Sequence, residues 1–138
     1  MDYANFWYRV TARLIDTIII QIIYSIATEF ILLFSDNIQE VITHLNLLLI
    51  LGILFGWLYY SLMESSAKQA TIGKMMLGIY VTDLQGKRIS FSRATGRYFS
   101  NYISALTFGI GYLMVNFTKK KQALHDIMAG CLIVKERK

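Results

Sequence analysis

The sequence of 138 residues contains no proline and a single cysteine, and few of its residues are charged. Without proline, the breaks in its helices and strands fall to glycine. The lone cysteine, Cys131, excludes an internal disulfide and a metal-binding cysteine cluster. Only 17% of residues are charged while 55% are apolar, which is more apolar than an ordinary soluble domain. The composition therefore indicates a single membrane domain over residues 1–138.

Basic residues are missing from one long stretch of the chain. All fourteen Lys and Arg lie outside residues 36–63, and the loop at residues 36–40 carries acids and no base. Short loops rich in Lys and Arg stay on the cytoplasmic side of a membrane. We therefore predict a multi-pass protein of the inner (cytoplasmic) membrane, with the acidic loop outside and both termini in the cytoplasm. We expect no cleavable signal peptide, because no small-residue cleavage site follows the first apolar stretch.

Two long apolar segments, residues 14–34 and 45–63, are predicted to cross the membrane as helices. The first has 21 residues, which at about 1.5 Å of rise per residue cover roughly 30 Å, the thickness of a hydrocarbon core. The second contains Gly52 and Gly56, a small-xxx-small pattern. This pattern favours close helix packing, either within a monomer or between protomers.

A third apolar segment, residues 98–117, is long enough to cross but is predicted to be broken. A full crossing would place the basic residues at 119–121 and at the C-terminus outside with the acidic loop, against the charge rule. A break at residues 109–111, which include two glycines, gives two half-helices that enter the membrane and return. Such a break requires that its backbone be buried in protein or wet. A plain third crossing is the alternative.

The chain between the second and third segments is more polar. Residues 71–78 are too short and too charged to span, and we predict an interfacial helix there. Residues 79–82 and 88–91 are rich in β-forming types around a turn that contains Gly86, which predicts a small cytoplasmic β-hairpin at about 79–91. Residues 131–134 are predicted to be a strand that pairs with this hairpin. The predicted fold class is an all-α integral membrane protein with this small β element.

Ionisable side chains in or beside the apolar segments are the candidate site, because a charge in the membrane is costly unless it pairs, protonates or faces water. Arg13 and Asp16 lie three residues apart and hence on one helical face. Glu29 lies about 20 Å farther along that helix, with no base within a turn. The remaining candidates are Glu64 at the inner end of the second segment and the pair His125 and Asp126 in the tail.

These residues belong to motifs that resemble a known family. The motifs are RLID at residues 13–16, QATIGK at 69–74, GIYV at 78–81 and ALHDIMAG at 123–130. In this order and spacing, over about residues 5–135, they resemble the RDD family of membrane proteins. That family is named for an arginine and an aspartate of its first helix and a second aspartate. The resemblance assigns these to Arg13, Asp16 and Asp126, with Asp83 a less favoured match for the third, and it implies a transport role, with sodium–proton exchange attributed to some members.

The first functional hypothesis is therefore cation–proton exchange. Asp16 would bind either a proton or a cation, with Arg13 as its neighbour of opposite charge, and Glu29 would lie on the outer half of the path. His125 and Asp126 would relay protons or satisfy each other as a buried pair. Two or three helices form too thin a wall to enclose a pathway, so we expect a homo-oligomer, a dimer or larger.

The second hypothesis is a non-enzymatic scaffold or regulatory subunit that binds another membrane protein. In that case Arg13 and Asp16 form a fixed polar clamp, with each other or with Asp126. Under either hypothesis we expect no enzyme, no cofactor and no metal site. The bases are spread along membrane borders rather than gathered on one module, which argues against nucleic acid. They are predicted to bind anionic lipid headgroups instead, through Lys119, Lys120, Lys121, Arg93 and Arg97.

Overall fold

The structure, a computed structural model, describes residues 1–107 and 109–136. Phe108 of the predicted third segment and the basic residues Arg137 and Lys138 of the tail lie outside the described residues. Two long helices, α1 (Phe6–Phe34) and α2 (Ile38–Ser65), are each about 40 Å long. Within the described residues, these two are long and apolar enough to cross a membrane, and their most apolar stretches are entirely unburied. Helices that are apolar all round without being buried in protein are typical of membrane spans.

Both helices begin earlier than the hydropathy pattern predicts. The side chain of Asn5 caps α1 by accepting a hydrogen bond from the Tyr8 N–H at 3.2 Å. Asn37 caps α2 in the same way, accepting from the Glu40 N–H at 3.0 Å. Such caps satisfy backbone donors that the first helical turn leaves free. The predicted acidic loop is therefore a short connection, residues 35–37, followed directly by the first turn of α2.

The other elements gather at the end of the helix pair that is remote from the acidic loop. They are α3 (Ile72–Met76), β1 (Ile79–Asp83), α4 (Phe91–Leu106), α5 (Ile110–Leu113), a 3₁₀ turn (Met114–Asn116), α6 (Leu124–Ala129) and β2 (Cys131–Lys135). We call these elements, together with the adjoining ends of α1 and α2, the base. Small and branched apolar side chains form its core: Ala4, Ala12, Ile79, Val81, Ile89, Ala94, Cys131 and Ile133.

The two strands pair antiparallel, with Val81 opposite Ile133. This confirms the predicted tail strand and its pairing with the first arm of the predicted hairpin, residues 79–82. The prediction that residues 88–91 form the second arm of a hairpin is wrong. The turn itself forms, since the Asp83 N–H donates to the Lys87 carbonyl at 2.8 Å, but Ser90 then caps α4 and the chain enters a helix at residue 91. A serine in a β-rich run was in fact a helix cap.

The predicted third segment is not one continuous helix. After α4 ends, Gly109 adopts a left-handed conformation with φ of 80° and precedes the short helix α5, a conformation that glycine adopts without strain. α5 lies back against α4, because a Cβ added to Gly111 would come within 2.9 Å of the Ser104 Cα. The Tyr112 hydroxyl also donates to the Asn101 carbonyl at 3.1 Å. The position of these pieces in the bilayer stays a prediction.

The small-xxx-small pattern of α2 serves packing within the chain. A Cβ added to Gly52 would contact the Tyr24 ring of α1 at 3.7 Å, and one added to Gly56 would lie 3.3 Å from the Tyr98 hydroxyl of α4. The two glycines therefore let two aromatic side chains approach the α2 backbone.

Candidate functional site

Asp16 lies at the junction of three helices and is 1% exposed. Its Oδ1 accepts hydrogen bonds from the Tyr59 hydroxyl of α2 and the Gly73 N–H of α3, both at 2.8 Å. Its Oδ2 accepts from the Thr71 hydroxyl at 2.6 Å. Gly73 cannot be larger, since a Cβ there would lie 2.1 Å from the Ala12 carbonyl oxygen. The carboxylate of Asp16 therefore joins α1, α2 and α3 through uncharged donors.

Asp126 is the second buried carboxylate, and two arginines hold it. Arg9 pairs with its Oδ2, and the Nε of Arg97 donates to its Oδ1 at 2.9 Å. The Ala123 N–H also donates to its Oδ2 at 3.1 Å, which caps α6. These bonds connect α1, α4 and α6, so the tail is fastened to the start of the first helix.

Glu64, at the end of α2, is the third buried carboxylate. It pairs with Lys74 of α3 and accepts from the Nη1 of Arg97 at 2.5 Å. Arg97 therefore bridges Glu64 and Asp126, and a continuous chain of ion pairs runs through the base. We call it the ion network: Lys74, Glu64, Arg97, Asp126 and Arg9.

Attraction within the ion network outweighs the cost of burial at its centre. Burial disfavours a charged carboxylate, but Arg97 and Arg9 hold the pKa of Asp126 well below its usual range. Burial likewise disfavours a charged guanidinium, yet Glu64 and Asp126 raise the pKa of Arg97 above its usual value. At Lys74 burial prevails over the attraction of Glu64 and lowers the pKa. Asp126 and Arg97 are therefore both charged at neutral pH.

His125 is buried beside the ion network but is not one of its charged members. Its Nδ1 lies 3.2 Å from the Ser104 hydroxyl, and its Nε2 lies 3.5 Å from Oδ1 of Asp126. Burial lowers the pKa of His125 to about 4, and the attraction of Asp126 does not compensate. The imidazole is therefore neutral at physiological pH, which weakens the predicted proton relay at this pair.

Arg13 does not pair with Asp16. Within residues 1–107 and 109–136, no carboxylate lies within ion-pair distance of Arg13; its guanidinium carbon lies 4.3 Å from the centre of the Tyr60 ring. The helical spacing that suggested a local pair was overridden, because α2 and α3 present three better-placed donors to Asp16: the Tyr59 hydroxyl, the Thr71 hydroxyl and the Gly73 N–H. The predicted clamp of Arg13 with Asp16 or Asp126 is wrong, and Arg9, one turn earlier, is the arginine that meets Asp126.

The structure separates the other predicted site residues. Glu29 lies on the exposed surface of α1, away from the base. Arg97 is not placed to bind lipid headgroups, since it is 7% exposed and serves two carboxylates. Arg93 is accessible, with its Nη1 4.0 Å from Asp83. The lysines at 119–121 are exposed, as an interfacial cluster requires.

A cavity of about 350 Å³ opens beside Asp16 and the ion network. Among the described residues, no group of three or more His, Cys, Asp or Glu side chains is placed to hold a metal ion. The wall is mostly apolar and aromatic. Its charged members are Arg9, Arg13, Asp16, Glu64, Lys74 and Arg97.

The order of these motifs along the chain is that of a known family. The family model of the RDD family matches residues 3–130, nearly the whole chain. The chain belongs to the RDD family. Together with its two long apolar helices, this membership indicates a membrane protein and confirms the resemblance that the motifs carried.

Two relatives have similar sequences. The uncharacterized protein YxaI of Bacillus subtilis (strain 168) is 32% identical over 95% of this chain and 96% of its own length. The uncharacterized protein RP437 of Rickettsia prowazekii (strain Madrid E) is 31% identical over 65% of this chain and 46% of its own length. No solved structure matches the chain.

The ion network of this RDD protein joins residues that the sequence analysis did not connect. Arg9 and Lys74 were not among the predicted site residues, and neither were the hydroxyl donors Tyr59 and Thr71. Thr71 and Lys74 do fall in the QATIGK motif, so the motif did point to the part of the chain that contains these two residues. Nothing in it indicated that its threonine contacts the first helix and its lysine the second.

Proposed function

We propose that this protein exchanges a cation, sodium in the first instance, for protons across the cytoplasmic membrane, and that Asp16 is the exchanging carboxylate. One observation carries the proposal. Of the three buried carboxylates among the described residues, Asp16 is the one without a basic side chain within ion-pair distance. Glu64 and Asp126 are each held by two bases, so a cation could enter there only by displacing one.

The neighbours of Asp16 suit both states that exchange requires. The hydroxyls of Tyr59 and Thr71 donate to the carboxylate when no cation is bound. Since a hydroxyl also has acceptor lone pairs, both can turn their oxygens to a cation. With the two carboxylate oxygens this gives four oxygen ligands, the type that hard cations prefer. Protonation of Asp16 would remove the charge that binds the cation, so proton and cation compete for one site.

The distribution of basic residues supports an orientation in which the region called the base faces the cytoplasm. Every described Lys and Arg lies in the base, in the loops that connect its elements or in the first turns of α1, whereas the loop at the other end of the helix pair is acidic. In this orientation the exposed lysines at 119–121, with Arg93, lie where anionic inner-leaflet lipids would bind them. We propose the inner (cytoplasmic) membrane as its location and a non-enzymatic role.

A pathway to the outer side requires more than one copy of the chain. The two long helices are exposed along their apolar stretches, and two helices cannot surround a path. Glu29, exposed on α1, would face the path only if a second copy packed against this surface. The proposal therefore includes a homo-oligomer, a dimer or larger, in which the α1 helices face each other.

Proton movement in proteoliposomes tests the proposal. Purified protein is reconstituted with an internal pH dye, and a sodium or potassium pulse is applied outside. We expect sodium-dependent proton flux from the native chain and none from Asp16→Asn. Asparagine can still accept from Tyr59 and Gly73 while donating to Thr71, so this variant should fold. Asp36→Asn, which removes the same charge from the exposed connection between α1 and α2, is the matched control and should retain full flux.

Two variants sharpen the assignment. Thr71→Val removes one oxygen ligand and keeps the shape of the side chain, so it should weaken sodium dependence while leaving the oligomer intact. Glu29→Gln should reduce flux if this residue lines the outer half of the path. Equal flux from native protein and Asp16→Asn would contradict the assigned site, and absent flux from correctly assembled native protein would contradict exchange itself.

A scaffold or regulatory subunit for another membrane protein is the second candidate, favoured by the exposure of Glu29 on the single chain. A carboxylate on the apolar surface of a helix is costly unless a partner covers it, and that partner could be a different protein. The observation that would move us to this candidate is a monomeric native protein in lipid nanodiscs that shows no flux.

A further inference from the structure

Arg13 stands apart from the other bases in the cavity wall. Arg9, Lys74 and Arg97 each pair with a buried carboxylate, whereas Arg13, within the described residues, has none within ion-pair distance. Its guanidinium carbon lies over the Tyr60 ring, 4.3 Å from the ring centre. A guanidinium carries five N–H donors and a ring face takes up none of them in an ordinary hydrogen bond, so Arg13 keeps donors for a further ligand.

The charges around the cavity do not balance. Four bases meet its wall, and three carboxylates face them: Asp16 and Glu64 in the wall, and Asp126 directly behind Arg9 and Arg97. His125 is neutral at physiological pH, because burial lowers its pKa. Among the described residues one positive charge is therefore left over, and it is carried by Arg13, which has no carboxylate within ion-pair distance. A cavity with one surplus positive charge favours a ligand with one negative charge.

We propose that this cavity binds the phosphodiester group of an anionic phospholipid, with the phosphate on Arg13 and the adjoining apolar part of the lipid in the cavity. A guanidinium edge matches a phosphate geometrically, since two parallel N–H groups meet two oxygens. The proposal does not depend on cation exchange at Asp16, and either can fail alone.

The depth and lining of the cavity favour a lipid over free phosphate. Arg13 directly precedes the apolar segment 14–34. A residue at the end of a membrane-spanning segment lies at the level of the lipid headgroups. Leu14, the next residue, also lines the cavity and is 57% exposed, so the cavity adjoins the lipid-facing surface of α1. Val10 and Tyr112 continue the lining with apolar surface. A small inorganic anion would gain nothing from these side chains, whereas the glycerol backbone and the first acyl carbons would.

Binding measured on the purified full chain in a non-ionic detergent tests the proposal. Native mass spectrometry counts bound dioleoyl phosphatidylglycerol, with dioleoyl phosphatidylcholine and inorganic phosphate as competitors. We expect one tightly bound phosphatidylglycerol per chain. Arg13→Gln should weaken its binding about tenfold or more, since a charge-assisted hydrogen-bond pair is lost. Arg13→Lys should recover part of the loss. Lys120→Gln, which removes the same charge from the exposed lysine cluster, should change binding less than about twofold.

Several results would overturn the proposal. Arg13→Gln could bind as tightly as the native chain, or Lys120→Gln could lose as much, which would mean general surface attraction. Equal binding of phosphatidylcholine, or displacement of the lipid by inorganic phosphate, would reject an anionic lipid as the ligand. If Arg13→Gln fails to fold, Val10→Phe offers a second route, because it fills the cavity without changing any charge. Undiminished phosphatidylglycerol binding by a folded Val10→Phe protein would also overturn the assignment.

Discussion

Replacement of Asp126 by asparagine removes one charge from the ion network while keeping the size of the side chain. In the native chain, two carboxylates face three bases, and Asp126 accepts from both Arg9 and Arg97. In the variant, Glu64 is the one remaining carboxylate of the network for its three basic residues, Lys74, Arg97 and Arg9. Arg97 keeps Glu64 as its partner, but Arg9 loses its charged partner altogether. The variant therefore leaves a largely buried cation without a counter-charge.

The expected loss of stability follows from the burial of Arg9. Removal of one partner of a buried ion pair costs about 3–5 kcal/mol. The Arg9 side chain is 11% exposed, so it can partly reach water, and its other bonds to the Ala4 and Lys121 carbonyls persist. We expect the lower end, about 3 kcal/mol, and for a chain of this size that corresponds to a fall in Tm of roughly 10 °C.

The single cysteine supplies the assay. Cys131 is fully buried at the start of β2, and burial raises the pKa of its thiol to about 11. A thiol-reactive fluorophore therefore reacts slowly with the folded protein and quickly once the base opens. Thermal unfolding in mild detergent, followed by this fluorophore, reports loss of the base in particular. The helix pair can stay inserted in the micelle without masking the signal.

Two comparisons give the result its meaning. Asp36→Asn makes the same chemical change on the exposed connection, where substitutions cost about 0.5 kcal/mol or less, so its Tm should match the native value. Arg97→Met leaves two complete pairs, Lys74 with Glu64 and Arg9 with Asp126, so it should be less destabilising than Asp126→Asn. A Tm for Asp126→Asn equal to that of Asp36→Asn would refute the view that the network holds the base together.

Two further predictions concern pH and backbone packing. Because burial lowers the pKa of His125 from 6.5 to about 4, the unfolded chain takes up a proton first on acidification. Stability should fall by up to about 3 kcal/mol between those pH values, and scanning calorimetry of His125→Gln should show a smaller fall. Gly73→Ala should lower Tm in the same assay, since its Cβ would lie 2.1 Å from the Ala12 carbonyl oxygen. Gly96→Ala, in open space within α4, should leave Tm unchanged or raise it slightly.

Patterns confined to one element predicted the fold well. A run of apolar residues produced each long helix, and Gly109 lies between the two helical pieces of the third segment, α4 and α5. Residues 131–134 formed the predicted strand because the β-forming residues that indicated it follow one another directly along the chain. The helix starts were misplaced because Asn5 and Asn37 act as caps, and a cap looks like loop sequence when only hydropathy is read.

The candidate site was predicted less well because its contacts join different elements. Arg9 and Arg13 lie one turn apart on α1, and nothing in the local sequence distinguishes the one that meets Asp126 from the one that lies over the Tyr60 ring. The rule that residues three apart face each other favoured Arg13 with Asp16. That local preference is worth a few tenths of a kcal/mol, and the packing of α3 against α1 overrides it. Sequence periodicity says which face a side chain takes, but not which element packs there.

The three buried carboxylates of the described residues divide into two kinds. Glu64 and Asp126 are each held by two basic residues, so protonation of either would leave buried cations unpaired and destabilise the base. Asp16 is held by two hydroxyls and one amide, and protonating it breaks no ion pair. If the protein moves protons, the charge change must occur at a residue whose neutral form the fold tolerates, and Asp16 meets that condition. The same reasoning separates the variants: Asp126→Asn should lose flux together with stability, whereas Asp16→Asn should lose flux with Tm nearly intact.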